Sequence, residues 1–129
     1  VALSLLMIEG DEQLAIIEAG ISEPGEMERL EAMIRPDIGI FTNLGDAHQE
    51  HFTSLEQKLS EKLILFRHAR TILYNTGDKW VADQIAHTYP NCKLCVVDPN
   101  HYDLHTLPYR DQASLENAAK AIALYDILG

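Results

Sequence analysis

Residues 15–20 read AIIEAG, residues 22–36 read SEPGEMERLEAMIRP, residues 37–52 read DIGIFTNLGDAHQEHF and residues 54–62 read SLEQKLSEK. In this stretch two short apolar runs, each of strand length, are followed by patterns of helical period. Strands that alternate with helices build a parallel sheet from right-handed βαβ units. We therefore predict an α/β fold, a three-layer sandwich with a mainly parallel sheet and helices on both faces.

The rest of the chain continues this alternation. Apolar runs bounded by turn residues predict strands at Gln13–Ala19, Asp37–Asn43, Arg70–Asn75 and Lys93–Val97. A first helix is predicted to be capped by Ser22 or Glu23 and to stop at Arg35-Pro36. Helical spacing predicts further helices at Ser54–His68, Lys79–Tyr89 and Ser114–Leu128. Ser4–Ile8 fits either the end of a helix or a short strand.

Size and charge restrict the class of protein. A chain of 129 residues is expected to form a single domain with its own core. The net charge of −10 repels phosphate backbones, which argues against a nucleic-acid partner. No apolar run approaches the ~18 residues of a membrane span. Two cysteines without a disulfide framework indicate a reducing, cytoplasmic setting.

Polar residues follow the first two predicted strands. Glu18 closes the first strand, and Asn43, Asp46 and His48 follow the second. Ligands of parallel sheets bind beyond the carboxyl ends of the strands, so we expect these residues at one site. A carboxylate and an imidazole that leave positions for water and phosphate suit Mg²⁺ or Mn²⁺. The alternatives are a helix cap or salt bridge for Glu18 and a loop position without a role for His48.

Lys62 is unusual because it lies on the apolar side of a predicted helix. Leucine and phenylalanine occupy the neighbouring positions of that side: Leu55, Leu59, Leu63 and Phe66. One interpretation is a buried stem with the amine at the edge of the core. The other is a partly desolvated lysine near a phosphate site, with a lowered pKa and altered reactivity.

Other common site motifs do not fit the sequence. Cys92 and Cys95 have the C-x-x-C spacing, but the gap to His101 is too short for a zinc finger, so core cysteines are expected. The sequence contains no Walker A loop G-x-x-x-x-G-K-[ST], no dinucleotide-binding G-x-G-x-x-G and no nucleophile elbow G-x-S-x-G.

Four ordered motifs nonetheless resemble a known family. E-x-G-x-x-x-x-G-E starts at Glu18, R-P-x-x-x-x-x-T-N at Arg35 and A-H-x-x-x-F at Ala47. SLENAAKAIAL at residues 114–124 is similar to an N-A-x-A-A helix. Together these motifs resemble the central ATP-binding domain of the Mur ligases, in its MurF type. The wording EAGISEPGEME with FRHA is similar to the form that is sometimes fused to an alanine racemase.

This resemblance implies a function and a set of site residues. The implied enzyme is a cytoplasmic ligase of peptidoglycan synthesis, which uses ATP to join D-Ala-D-Ala to a UDP-MurNAc-tripeptide through an acyl phosphate. Glu18 and His48 would ligate Mg²⁺. His48 and Lys62 would act in catalysis, Lys62 as the lysine that many members carry as a carbamate. Asn117 would contact adenine, and Asn43 would belong to the same nucleotide site.

The chain departs from the family pattern at its start. The family's P-loop would lie upstream of Val1, so residues 1–129 are expected to be a piece of the central domain that is inactive alone. A sheet edge left open where the P-loop strand would pair favours self-association. Two other interpretations stay open. One is a superfamily ligase of the folylpolyglutamate or cyanophycin synthetase type, and the other is a non-catalytic flavodoxin-like binding module.

Overall fold

A computed structural model describes residues 1–45, 49–75 and 77–129 of the chain. These residues form two compact units. The first unit comprises Val1–Pro36 and Leu44–His68, and the second comprises Asp37–Asn43 and Ala69–Gly129. Within the described residues the α-helices are, in chain order, α1 (Ala2–Leu5), α2 (Glu26–Ile34), α3 (Leu55–Leu63), α4 (Lys79–Thr88) and α5 (Gln112–Leu128).

The second unit is built on a parallel sheet. Its strands are β1 (Ile38–Ile40), β2 (Thr71–Asn75) and β3 (Lys93–Val97), and β2 lies between the other two. The helices α4 and α5 follow β2 and β3 along the chain. The predicted α/β fold with a parallel sheet is therefore confirmed. β3 has its predicted bounds, whereas β1 and β2 are shorter than predicted.

The central strand β2 carries the core of this unit. Leu73 has no exposed surface and packs with Val97 of β3 and with Ala119 and Ala123 of α5. Ala119 and Ala123 lie one turn apart on one face of α5, and their small side chains let the helix approach the strands closely. This packing holds α5 against the sheet, and the polar side chains of α5 described below depend on it.

The first unit packs α2 against α3 and the 3₁₀ turn Ile64–Phe66 that follows α3. The Ser54 Oγ accepts a hydrogen bond from the Gln57 N–H at 3.1 Å, which caps the start of α3. The predicted helix Ser54–His68 is therefore correct at its start but ends earlier. The core of this unit is formed by apolar side chains from the loops and helices, among them Ile21, Met27, Leu30, Phe52 and Ile64.

The predicted strand Gln13–Ala19 is wrong. These residues form neither a helix nor a strand, and most of them are exposed, with Ile16 at 77%. A strand needs a neighbour for its backbone N–H and C=O groups. The described sheet pairs only β1, β2 and β3 with one another. An apolar run of strand length is thus not enough to predict a strand without a partner beside it.

The N-terminal residues resolve one open alternative. Ser4 and Leu5 belong to α1, so the segment that starts at Ser4 is the end of a helix rather than a strand. Across residues 1–45, 49–75 and 77–129, no helix is long and apolar enough to cross a membrane.

Candidate functional site

Glu18 lies in an exposed segment of the first unit, outside any helix or strand. The expectation that it ends a buried strand is therefore wrong, because the strand itself is absent. An exposed carboxylate has no burial cost that a bound cation would have to offset. Its accessibility is compatible with binding a cation from solvent.

Carboxylate groups hold the loop between Glu18 and α2. The Glu26 carboxylate accepts hydrogen bonds from the Ser22 N–H at 2.6 Å and the Glu23 N–H at 3.0 Å. Gly25 is the N-cap of α2 and has a φ of +86°, a backbone conformation that favours glycine. The predicted cap by Ser22 or Glu23 is therefore wrong. The G-E pair of the first motif has a structural explanation, since the glycine makes the turn and the glutamate closes it.

Glu61 connects this loop to α3. Its carboxylate accepts hydrogen bonds from the Gly25 N–H at 2.6 Å and the Met27 N–H at 3.3 Å. These N–H groups belong to the start of a helix, where a negative charge is favourable. The residue before Lys62 thus anchors the loop that follows Glu18.

Lys62 is half-buried on α3, and its Nζ donates a hydrogen bond to the Leu44 carbonyl oxygen at 2.8 Å. Burial lowers the pKa of Lys62, and the positive charge of Lys58 lowers it further. A lysine with a lowered pKa has a larger neutral, nucleophilic fraction at neutral pH. The partly desolvated interpretation of Lys62 agrees with this environment.

Lys58 is a second buried lysine on the same helix, and its burial was not predicted. It is only 1% exposed, and its Nζ donates to the Gly45 carbonyl oxygen at 2.7 Å. Lys58 lies four residues before Lys62, so both side chains project from one face of α3. The sequence does contain a sign of this burial, since position 58 falls on the same apolar side of the helix as Lys62.

Three of the predicted residues follow β1 along the chain. Asn43 is exposed and lies three residues beyond the end of the strand. His48 lies outside the described residues, as does Asp46. The prediction that these residues share a site with Glu18 therefore stays a prediction.

Asn117 is exposed on α5, next to a third buried lysine. Lys120 is only 2% exposed, and its Nζ donates to the Thr42 carbonyl oxygen at 3.1 Å and to Asn117 Oδ1 at 3.5 Å. The burial of Lys120 was not predicted either. The signal was present, because the N-A-x-A-A pattern has alanine where this chain has Lys120.

Lys120 should make stability depend on pH. Burial lowers the pKa of Lys120 below its usual 10.5, although the Glu116 carboxylate opposes the shift. Between the lowered pKa and 10.5 the unfolded chain binds more protons than the folded chain, so the free energy of unfolding rises with pH. We expect wild type to gain stability relative to Lys120→Met as the pH rises towards 10.5.

Urea unfolding at a series of pH values checks this expectation. The fluorescence of Trp80, the single tryptophan, reports on the second unit. Lys79→Met is the matched control, because Lys79 is exposed and forms a surface ion pair with Asp83 at 2.6 Å. A stability difference between wild type and Lys120→Met that does not change with pH would contradict the expectation.

The described side chains do not form a complete metal site by themselves. Across the described ranges, no group of three or more His, Cys, Asp or Glu side chains could hold a metal ion. Cys92 and Cys95 are free thiols, and burial raises the pKa of the Cys92 thiol. Mg²⁺ keeps several waters and needs only one or two protein carboxylates when phosphates complete its shell. The exposed Glu18 fits that smaller requirement.

The fold and the position of these polar residues define a class of protein. A parallel α/β sheet with polar side chains beyond the carboxyl ends of its strands is the arrangement of ligand-binding α/β domains. Residues 1–123 match the family model of the Mur ligase middle domain. The chain belongs to this family, as the ordered motifs indicate.

Relatives of the chain include three proteins named UDP-N-acetylmuramoyl-tripeptide–D-alanyl-D-alanine ligase. The protein of Borreliella burgdorferi is 42% identical over 60 residues, which cover 46% of this chain and 13% of that protein. The protein of Haemophilus influenzae is 25% identical over 150 residues, which cover 96% of this chain and 32% of that protein. The protein of Bacillus subtilis is 31% identical over 61 residues, which cover 47% of this chain and 13% of that protein. The chain thus spans no more than a third of these relatives, and no solved structure matches it significantly.

Proposed function

We propose that this chain contributes the central, ATP-binding part of a ligase that adds D-alanyl-D-alanine to UDP-N-acetylmuramoyl-tripeptide. The match of residues 1–123 to the Mur ligase middle domain carries this proposal. The names of the relatives support the choice of substrates. The assignment of residues 1–129 to one domain of a longer, cytoplasmic enzyme belongs to the same proposal. Residues 1–129 alone are expected to form no amide bond.

The proposed reaction has two steps. A carboxylate oxygen of the tripeptide attacks the γ-phosphorus of ATP, and ADP leaves. The amine of D-Ala-D-Ala then attacks the acyl carbon, the carbon–oxygen bond to phosphate breaks, and the amine loses a proton. Catalysis of phosphoryl transfer rests mainly on positioning and on stabilising the negative charge of the transferred group.

Lys62 is the residue of the first unit best suited to this chemistry. Its lowered pKa increases the fraction of neutral amine, which is the form that reacts with CO₂ to give a carbamate. The hydrogen bond to Leu44 fixes the amine at a defined place. We propose that Lys62 acts as this carbamate and helps to hold a cation.

The remaining site residues are proposed by position. Glu18 would bind Mg²⁺ together with His48, and the ion would neutralise negative charge on ATP and the acyl group. Asn43 and Asn117 belong to the second unit and would contact the nucleotide. Lys120 links the segment before Asn43 to Asn117, which favours a shared nucleotide role for the two asparagines.

The exposed Glu18 allows a test that separates function from stability. Glu18→Gln keeps the size of the side chain and removes its charge. We expect the Mg²⁺ concentration needed for half-maximal activity to rise about 10- to 100-fold, with a stability change within ~0.5 kcal/mol. Glu9→Gln is the control, because Glu9 is also exposed in the first unit. An unchanged Mg²⁺ requirement would remove Glu18 from the proposed metal site.

Substrate selectivity tests the proposed function itself. Phosphate release by the complete protein should require ATP, UDP-MurNAc-tripeptide and D-Ala-D-Ala together. Folate with glutamate, the substrates of a folylpolyglutamate synthetase, should release no phosphate. Release with that pair and none with the peptidoglycan precursors would overturn the proposal. The flavodoxin-like module is not proposed, because the family match is to a ligase domain.

The sheet edge supports a further proposal about assembly. Within the described residues β1 pairs only with β2, so its other edge has no strand partner there. An open edge invites a strand from another chain. We propose self-association of residues 1–129 through this edge, and sedimentation velocity should show a dimer whose fraction rises with concentration. A monomer at all concentrations would contradict it.

A further inference from the structure

Lys120 lies between two segments that the sequence motifs single out. Thr42 and Asn43 end the R-P-x-x-x-x-x-T-N motif, and Asn117 begins the N-A-x-A-A motif within α5. Lys120 Nζ donates to the carbonyl oxygen of Thr42 and to the side chain of Asn117. Both contacts lie within the second unit. One buried amine therefore connects the turn after β1 to the proposed nucleobase contact.

The chemistry of lysine fixes the orientation of Asn117. An ammonium group donates hydrogen bonds and accepts none, so the atom of the Asn117 amide that faces it must be the oxygen. The NH₂ group of the same amide then points away from Lys120. Because Asn117 is exposed, that NH₂ group is available to an acceptor atom of a ligand.

A row of polar residues on α5 supports Lys120. Glu116 lies one turn before it, and the Glu116 carboxylate accepts hydrogen bonds from Asn75 Nδ2 at 2.5 Å and Gln112 Nε2 at 2.9 Å. Asn75 is the last residue of β2. The row thus reaches the carboxyl ends of both β1 and β2, where ligands of parallel sheets bind.

We infer that Lys120 is a positioning residue. It orients Asn117 so that the NH₂ group of Asn117 meets an acceptor atom on a nucleobase. It also fixes the distance between Asn117 and the Thr42–Asn43 turn. The contact between Asn117 and a nucleobase rests on the proposed function. The orientation of Asn117 does not, because it follows from the contacts of Lys120.

Nuclear magnetic resonance of the full 129-residue chain tests the orientation without a ligand. In wild type the Asn117 carboxamide should have an order parameter of about 0.8, typical of a rigid group. Lys120→Met keeps the apolar stem and removes Nζ, so the order parameter should fall below ~0.6. The carboxamide of Asn100, held by Asp98 in the same unit, should not change. Lys79→Met, at the exposed ion pair with Asp83, should leave Asn117 unchanged.

The wild-type spectrum decides the matter even if Lys120→Met does not fold. An Asn117 carboxamide that is mobile in wild type would overturn the inference, as would one that stays rigid in a folded Lys120→Met variant.

In the complete protein, Lys120→Met should raise the KM for ATP about fivefold, the effect of one misaligned hydrogen bond, and leave kcat within about twofold. An unchanged KM for ATP would overturn the nucleobase role. Absence of ligase activity in wild type would count against the proposed function alone, since the spectra remain interpretable.

Discussion

Replacing Lys62 by methionine is expected to lower the kcat of the complete ligase about 10²- to 10³-fold, the usual cost of removing one preorganised group that stabilises transition-state charge. Methionine keeps an unbranched apolar stem of similar length and removes the amine. The half-buried stem on α3 should therefore remain packed, and the loss should appear in turnover rather than in folding. Steady-state kinetics with saturating ATP and Mg²⁺ measures it.

Two comparisons make the Lys62 result specific. Lys79→Met makes the same chemical change at an exposed ion pair in the second unit and should leave kcat within about twofold. Far-UV circular dichroism should show that Lys62→Met is folded. A folded Lys62→Met variant with nearly normal kcat would remove Lys62 from the chemistry. Its lowered pKa would then be only a consequence of burial beside Lys58.

Replacing Leu73 by alanine is expected to lower the free energy of unfolding of the second unit by about 2–5 kcal/mol. Leu73 has no exposed surface and lies on the central strand, in contact with Val97 and the alanines of α5. Removal of the side chain leaves a cavity. The strands on both sides of β2 and the packed helix α5 cannot easily move to fill it. Urea unfolding followed by Trp80 fluorescence reports on this unit.

Val96→Ala is the control for Leu73→Ala. Val96 lies on β3 but is exposed, so its truncation should cost less than about 1 kcal/mol. Similar losses for the two variants would show that Leu73 is not at the centre of a packed core. The sheet order with β2 in the middle would then need revision.

The sheet shows which parts of a fold a sequence can predict. β3 has its predicted bounds because its apolar run ends at turn residues on both sides and pairs with β2 along its whole length. The Gln13–Ala19 run looks similar in sequence but forms no strand among the described residues. Pairing depends on a neighbour distant in the chain, and no local pattern contains that information.

The buried lysines show where sequence patterns fail at the site. Lys62 is recognisable in the sequence because it replaces an apolar residue at a helical position. Lys58 and Lys120 are more deeply buried than Lys62, yet neither belongs to a motif that predicts a buried contact. Both donate to backbone carbonyl oxygens of the segment 42–45, which lies beyond β1 in the chain. Such backbone acceptors carry no side-chain signature, so only coordinates reveal the pairing.

Isotope transfer tests the proposed ligase function most directly. The complete protein would be supplied with ATP, D-Ala-D-Ala and a UDP-MurNAc-tripeptide that carries ¹⁸O in its terminal carboxylate. A ligase that acts through an acyl phosphate yields the UDP-MurNAc-pentapeptide and transfers one ¹⁸O to each phosphate released. Mass spectrometry of both products should show this label. ATP consumption with unlabelled phosphate, or without the pentapeptide, would contradict the assignment of this chain to a D-alanyl-D-alanine-adding ligase.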